Sequence, residues 1–327
     1  MISIQKYNDK MLHLWDDFIS NSNNGTIFNF RSFLNYHIDR SFDDNSLLFF
    51  NKKNLIAVLP SVKTGNSDNK TLYSHPGASF GGLILNEKTS FSTVESILII
   101  LNKYCRDNNI KHLVLIQTPL IYYKKRDDSL NYLLLSHNFN IYENYISHYI
   151  KMRKEEPLMH LLNKRKKRYL KQLLSDNKFI FCLNSSIDDF YKILLESKAS
   201  FGTLPTHSLE ELNILQKLFP QKIKLLISKD QNQTAGGTLI FSTTESTSLV
   251  FYNVVKNRYR NSQLAALQIY KCMELAKKQN CYIVDLGVSH IPGHKNPINH
   301  KTSLIRFKEQ FGATGVLRTV YKKTFNE

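Results

Sequence analysis

One order of elements is legible twice along this chain, and that repetition limits its fold more than any single motif does. In the first half, a helix over Met11–Ser20 precedes two β-type runs, Ser46–Phe50 and Leu55–Pro60, separated by the turn Asn51-Lys52-Lys53-Asn54. An apolar helix over Thr93–Arg106 follows, then a buried-type strand over Lys111–Gln117 and a late strand over Ile141–Ile150. In the second half, helices over Asp188–Ser200 and Leu209–Phe219 precede the strands Lys222–Ser228 and Gly237–Phe241, which flank the turn Lys229-Asp230-Gln231-Asn232. Ser248–Val254 is a third strand. Gln263–Lys278 is a helix with Ala265, Ile269, Cys272 and Ala276 on one face. Cys281–Leu286 and Gly315–Tyr321 are the closing strands. Strand pairs followed by helix, strand and final strand describe an α/β chain with mixed, α+β-like sheets under helical cover. The order occurring twice points to an internal duplication, with domains at 1–152 and 153–327. A length of 327 residues suits two domains of about 150 each.

The charge balance narrows the partners. Lys and Arg number 44 against 27 acids, a formal charge of +17. Such a surface attracts phosphates, nucleic acid, nucleotide-linked substrates or an anionic membrane face. The abundance of Asn, Lys and Ile offers compositional drift as a second account of the same excess. Six cations, Lys164, Arg165, Lys166, Lys167, Arg168 and Lys171, fall in one basic helix over Leu158–Leu174. That helix reads either as a phosphate-contacting arm or as a solvated connector whose Leu162, Tyr169, Leu170 and Leu173 face the core. Cys105, Cys182, Cys272 and Cys281 form no C-x-x-C pair, and the last two read as small core residues. The first residues carry no apolar run for export, and no stretch approaches the roughly 18 uncharged apolar residues of a membrane span. The expectation is a cytoplasmic protein without an integral membrane segment and with peripheral contact to the inner membrane.

The second half carries the most specific pattern. Phe251-Tyr252-Asn253 ends a strand, Asn257-Arg258-Tyr259-Arg260-Asn261 forms a polar loop, and the helix from Gln263 follows at once. A loop-to-helix junction offers unpaired N–H groups and a positive dipole end to an anionic or carbonyl-bearing ligand. The strand Tyr282-Ile283-Val284-Asp285-Leu286-Gly287 comes next, and then Phe307-Lys308-Glu309-Gln310-Phe311-Gly312. This last segment resembles the F-K-x-x-F-G signature of the Fem-type transferases. The Asp-Leu-Gly strand end and the basic helix leading through Ala199 to the turn Phe201-Gly202-Thr203-Leu204-Pro205 are also similar to that family. The resemblance covers Leu158 to Tyr321. In the first half, Asn24-Gly25-Thr26-Ile27-Phe28-Asn29 with Phe33, and Ala57-Val58-Leu59-Pro60, are similar more loosely. His37 stands roughly where peptidoglycan-type members carry a Lys for the nucleotide-linked acceptor, and Ser79-Phe80-Gly81-Gly82 replaces their Gly-Pro segment.

The resemblance implies two tandem GNAT-like domains. It also implies an acyltransferase that forms an amide between an activated acyl or aminoacyl donor and an amine of a cell-envelope or peptidoglycan precursor. The co-substrate would be acyl-CoA or aminoacyl-tRNA. The acceptor would be an envelope precursor or an amino sugar, with no cofactor tightly bound and no metal. Amide formation needs an attack geometry, a proton acceptor and fixed donors for the oxyanion.

Lys308 and Asp285 are the candidate catalytic residues, Lys308 as a cation at the substrate or oxyanion and Asp285 as base or amine-orienting group. Their alternatives are a surface lysine and a loop-capping carboxylate. Phe307 would wall the donor channel and Tyr252 would bind substrate, or else serve as a core tyrosine. Arg258, Arg260 and Asn261 would meet donor phosphates, or be plain loop residues, and His37 would meet the acceptor. A CoA-binding GNAT usually carries glycines where Asn261 and Gln263 stand, which weakens the ordinary CoA site here.

Other signals are set aside. His290, His294 and His300 share a Gly/Pro loop without ligand-like spacing. Gly236-Gly237 marks a strand bulge or a close backbone approach. No G-x-S-x-G elbow, P-loop or dinucleotide fingerprint occurs. The rival class is a non-catalytic nucleic-acid-binding protein, suggested by the net charge and by Tyr122-Tyr123-Lys124-Lys125-Arg126.

Overall fold

The computed structural model describes residues 2–66, 69–184, 187–200, 202–291 and 298–325. The chain divides into two compact units, residues 1–144 with 317–327 and residues 145–316. The division differs from a linear cut at 152/153 because two long strands run across it. Residues 145–151 pair with a strand of the second unit, and residues 320–324 pair with a strand of the first.

The first unit opens with β1 (Ile2–Lys6), α1 (Leu12–Asn21) and the single turn α2 (Arg31–Leu34). Next come β2 (Asp43–Asp44), β3 (Leu47–Asn51), β4 (Asn54–Leu59), β5 (Ser61–Thr64), β6 (Thr71–Ser74) and β7 (Ile84–Leu85). α3 (Phe91–Asp107), β8 (His112–Ile116), α4 (Ser129–Ser136) and β9 (Asn140–Lys151) complete this stretch. α3 is capped by Ser90, whose side chain accepts from the Thr93 N–H, and it buries Val94, Ile97, Leu98, Leu101 and Cys105.

The second unit continues with α5 (Lys164–Asp176), β10 (Phe179–Leu183), α6 (Ile187–Ala199) and α7 (Leu209–Leu218). β11 (Ile223–Asp230), β12 (Gln233–Ser242), β13 (Thr247–Val255), α8 (Leu264–Lys278), β14 (Ile283–Val288) and α9 (Thr302–Glu309) follow. β15 (Thr314–Thr324) ends the chain. The short elements β1, β2, β5, β6, β7 and α4 are not among those expected from the sequence.

In the first unit one sheet has the order β1-β3-β4-β7, and a second runs β15-β8-β6-β5-β2. Its core centres on Leu47, Phe49, Ile97, Leu98, Leu101, Leu113 and Leu115, all fully buried. In the second unit the order is β10-β11-β12-β13-β14-β9. All neighbours there are antiparallel except β13 and β14, which are parallel and joined through α8. α8 is buried along most of its length, with Leu264, Met273 and Cys272 against the sheet, in accord with the core role read for Cys272 and Cys281.

Gly236 and Gly237 sit in β12 where close approach decides the residue. A Cβ on Gly236 would stand 2.6 Å from the Val254 carbonyl oxygen and the same distance from Gln268 Oε1. The register of β12 against β11 also slips by one residue beside them, so bulge and close approach coincide here.

Candidate active site

The parallel pair β13 and β14 opens like a fork. Thr247, Ser248 and Leu249 pair with Ile283, Val284 and Asp285, and beyond these residues the two strands no longer pair. β13 continues to Val255 along β12, while β14 bends away through an irregularity between Asp285 and Val288 against β9. Gly287, at φ 74, supplies the left-handed backbone of that bend. A fork of this kind leaves backbone donors and acceptors of β13 without a sheet partner on one side, where a ligand can take them.

Asp285 stands at the point of divergence and is buried. Its Oδ1 accepts from Ser147 Oγ at 2.7 Å and from the Gly287 N–H at 2.7 Å. Both bonds tie its position to β9 and to the bend.

Lys308 reaches the same bend from α9 and is only 4% exposed. Its Nζ donates to Gly287 O at 2.6 Å, Val288 O at 3.0 Å and Ser289 Oγ at 2.9 Å. An ammonium has three donors, so all of them are spent on the chain itself. Burial lowers its pKa to about 8, and the Asp285 carboxylate only partly opposes the shift. Lys308 is therefore no surface lysine. It is a fixed buried charge that shapes the end of β14.

Ser289 Oγ lies 3.1 Å from His148 Nδ1 on β9. His148 is also buried, and burial together with the Lys308 charge lowers its pKa below the ordinary histidine value. Ser147, His148 and Ser289 were missed in the sequence. The two β9 residues lie about 140 positions from Asp285 and Ser289, and only the pairing of β9 with β14 brings them there.

A second buried lysine lies beside Phe307 and Phe311. Lys166 of α5 is 4% exposed, and its Nζ donates to Gln263 Oε1 at 2.6 Å. It stands 5.3 Å from the Phe307 ring centre and 5.9 Å from that of Phe311. Burial, aided by neighbouring Arg165, lowers its pKa. The basic helix thus divides: Lys164, Arg165, Arg168 and Lys171 are exposed, while Lys166 joins the core with Leu162 and Leu170. Phe307 packs on Lys166 and Phe311 rather than standing alone as a wall.

Gln263 holds φ 60 at the start of α8, in the left-handed region that favours glycine. Its side chain is anchored there by Lys166.

The remaining expected residues are more dispersed. Tyr252 is buried on β13, and its hydroxyl accepts from the Thr206 N–H at 3.1 Å and lies 3.3 Å from His207 Nδ1. Arg258 donates to Gln233 Oε1 at 2.8 Å and stacks 4.8 Å over Tyr259. Arg260 donates to Ser200 Oγ at 2.9 Å, and Asn261 is exposed. These three form the exposed loop ahead of α8, apart from the Asp285–Lys308 cluster. Phe201, part of the turn after α6, lies outside the described residues.

His37 belongs to the first unit. Its Nε2–H donates to Gly77 O at 3.1 Å, and it shares a hollow of about 150 Å³ with Arg40, Phe42, Asp44 and His75.

His290 and His300 form an isolated β-bridge, and His294 lies outside the described residues. Among the described residues no group of three or more His, Cys, Asp or Glu is placed to hold a metal, and no helix is long and apolar enough to cross a membrane. Tyr122 and Tyr123 are buried, so the aromatic and basic run over 122–126 offers no rings for stacking bases.

No protein-family model and no curated protein matches the sequence. Solved structures do match in fold. FemX superimposes with a TM-score of 0.73 at 9% identity, covering 99% of this chain and 98% of that one. L-PGS from Bacillus licheniformis gives 0.57 at 12% identity, covering 99% and 94%. A tandem GNAT protein from the clavulanic acid biosynthesis pathway gives 0.54 at 9% identity, covering 100% and 99%. Two α/β units in succession, the forked parallel pair in the second and these whole-length likenesses together establish that the chain has the tandem GNAT fold of the Fem-like kind.

Proposed function

We propose that the chain is an acyltransferase that joins an activated acyl or aminoacyl group to an amine at the β13–β14 fork. The observation that carries this reading is the fork itself, with Asp285 at its apex and the buried Lys308 ammonium fixed to the strand that bends away. A carbonyl seated against the open edge of β13 would meet backbone donors on one side and a field of positive charge on the other. Both favour the oxyanion that develops when an amine attacks. Asp285, held in place by Ser147 and Gly287, would orient the incoming ammonium or amine.

The donor is an acyl-CoA or an aminoacyl-tRNA, and either brings a carbonyl on a phosphate-bearing carrier. Arg258, Arg260 and Asn261 would contact those phosphates at the exposed loop ahead of α8, whose first turn adds its dipole. The Gln263 side chain at the glycine position favours a donor other than plain CoA. The acceptor is an amine of an envelope or peptidoglycan-related precursor, reached from the cytoplasmic side, and His37 in its hollow would contribute to its binding.

Binding of acetyl-CoA, longer acyl-CoAs, charged tRNA and uncharged tRNA at near-physiological salt tests this reading. Saturable binding of one donor class supports it and names the donor. Weak binding to every polyanion alike, falling steeply with salt, would overturn it in favour of charge-driven nucleic-acid binding.

A further inference from the structure

The buried groups around Ser289 form a hydrogen-bond chain with a direction. The Lys308 ammonium can only donate, and one of its three protons goes to Ser289 Oγ at 2.9 Å. The Ser289 hydroxyl proton is then left for another acceptor, and His148 Nδ1 stands 3.1 Å away. The backbone of Ser289 is held at both ends. Its N–H donates to Ile146 O at 2.9 Å, and its carbonyl accepts from the Lys301 N–H at 2.8 Å. The side chain is fully buried as well. A Ser289 proton directed at His148 makes Nδ1 the acceptor, and a neutral imidazole in that state carries its proton on Nε2.

The groups facing His148 are Lys308 and Glu309 from α9 and Asp285 from β14. Burial and Lys308 outweigh the two acids and keep the ring neutral at pH 7. No partner for Nε2 is found among the described residues.

We propose that His148 is a hydrogen-bond donor to the acyl carbonyl oxygen, with its Nε2–H tautomer imposed by the Lys308–Ser289 relay. This rests on the acyl-transfer reading of the fork. Lys308 and Ser289 act here as positioning residues, and of the three only His148 meets the substrate. The relay also assigns a purpose to a lysine whose three donors are all spent inside the protein. As the amine attacks, negative charge grows on the carbonyl oxygen, and Nε2–H is polarised through Ser289 by a charge that never leaves its place. When the ammonium loses its proton, near pH 8, its lone pair takes up the Ser289 hydroxyl. Ser289 Oγ then accepts from Nδ1–H, and the tautomer inverts.

Long-range proton–nitrogen NMR of the full-length, nitrogen-15-labelled protein reads the tautomer directly, with H148F identifying the resonance among the 11 histidines. The expected result is Nε2–H at pH 7, conversion toward Nδ1–H by pH 9.5, and loss of the bias in Ser289→Ala. An Nδ1–H tautomer in the parent protein at pH 7 would overturn the proposal, as would a Ser289→Ala spectrum identical to the parent. If Ser289→Ala does not fold, the two pH values on the parent protein decide alone. With a donor and acceptor in hand, His148→Phe is expected to lower kcat about 100-fold with KM little changed. His148→Gln, which keeps an N–H near the Nε2 position, is expected to recover part of it, and an unchanged kcat in His148→Phe sinks the role. A protein that shows the Nε2–H tautomer but transfers no acyl group retains the relay and refutes the acyl-transfer reading instead, so the two failures are distinguishable.

Discussion

Lys166 Nζ donates to Gln263 Oε1 at 2.6 Å, joining the basic helix α5 to the one left-handed residue that starts α8. A left-handed conformation costs a residue with a Cβ about 1 kcal/mol. Gln263 bears that cost while neutralising part of the burden of a buried ammonium. Gln263→Gly removes the backbone strain yet strands Lys166, and it is expected to destabilise the protein by about 1–3 kcal/mol. Lys166→Met in the same background is expected to restore most of that loss. Urea unfolding of the two single variants and the double variant measures the coupling. Strict additivity would show that the contact does not hold the α8 start.

Lys308 makes stability depend on pH in the alkaline range. Its pKa is about 8 in the fold and near 10.5 in the unfolded chain. Between those values the unfolded chain binds more protons, so this group's contribution to stability rises with pH across that window. Below it the buried ammonium carries a penalty on the order of 3 kcal/mol. The stability difference between the parent and Lys308→Met is expected to move in the parent's favour from pH 8 to pH 10.5. A difference that is flat with pH would mean that Lys308 is not desolvated.

His75 acts at the acidic end. Burial holds its pKa at about 4, against 6.5 for a free histidine, and its Nδ1 accepts the Gly77 N–H at 3.2 Å. The neutral ring is favoured in the fold, so stability falls as pH drops from 6.5 toward 4, by on the order of 3 kcal/mol in all. His75→Gln is expected to flatten this part of the curve. Acid unfolding that is unchanged in the variant would assign the sensitivity to other groups.

Gly236 tests the packing of the forked sheet. A methyl group there meets the Val254 carbonyl oxygen and Gln268 Oε1, each at 2.6 Å. Gln268 is fully buried, and its amide donates to Gly237 O at 2.9 Å and Asn253 Oδ1 at 2.7 Å, so it has little room to yield. Gly236→Ala is expected to cost about 1–3 kcal/mol, measured by chemical denaturation. A neutral result would show that β12 and β13 separate easily.

The periodic elements were legible in the sequence because their burial is one-sided and regular. The helix read at Thr93–Arg106 is α3 with its apolar face inward, and the strands read at Ser248–Val254 and Cys281–Leu286 are β13 and β14. The segment around Lys308 and Asp285 was singled out by its order along the chain, and these two residues do meet at one bend of β14. Local pattern could not say that Lys308 is buried, since a lysine on a short amphipathic helix reads as a surface cation until the strand beneath it is known. Nor could it reveal the fork, which depends on where a parallel pair stops pairing, or the relay, which needs Ser289 and His148 to meet from distant strands. Periodicity and order along the chain made most of the long helices and strands legible, and with them the cluster's approximate place. Desolvation and the partner of each proton come from packing between separate elements, α9 on the bend of β14, α5 on the start of α8 and β9 beside β14, which no local pattern encodes.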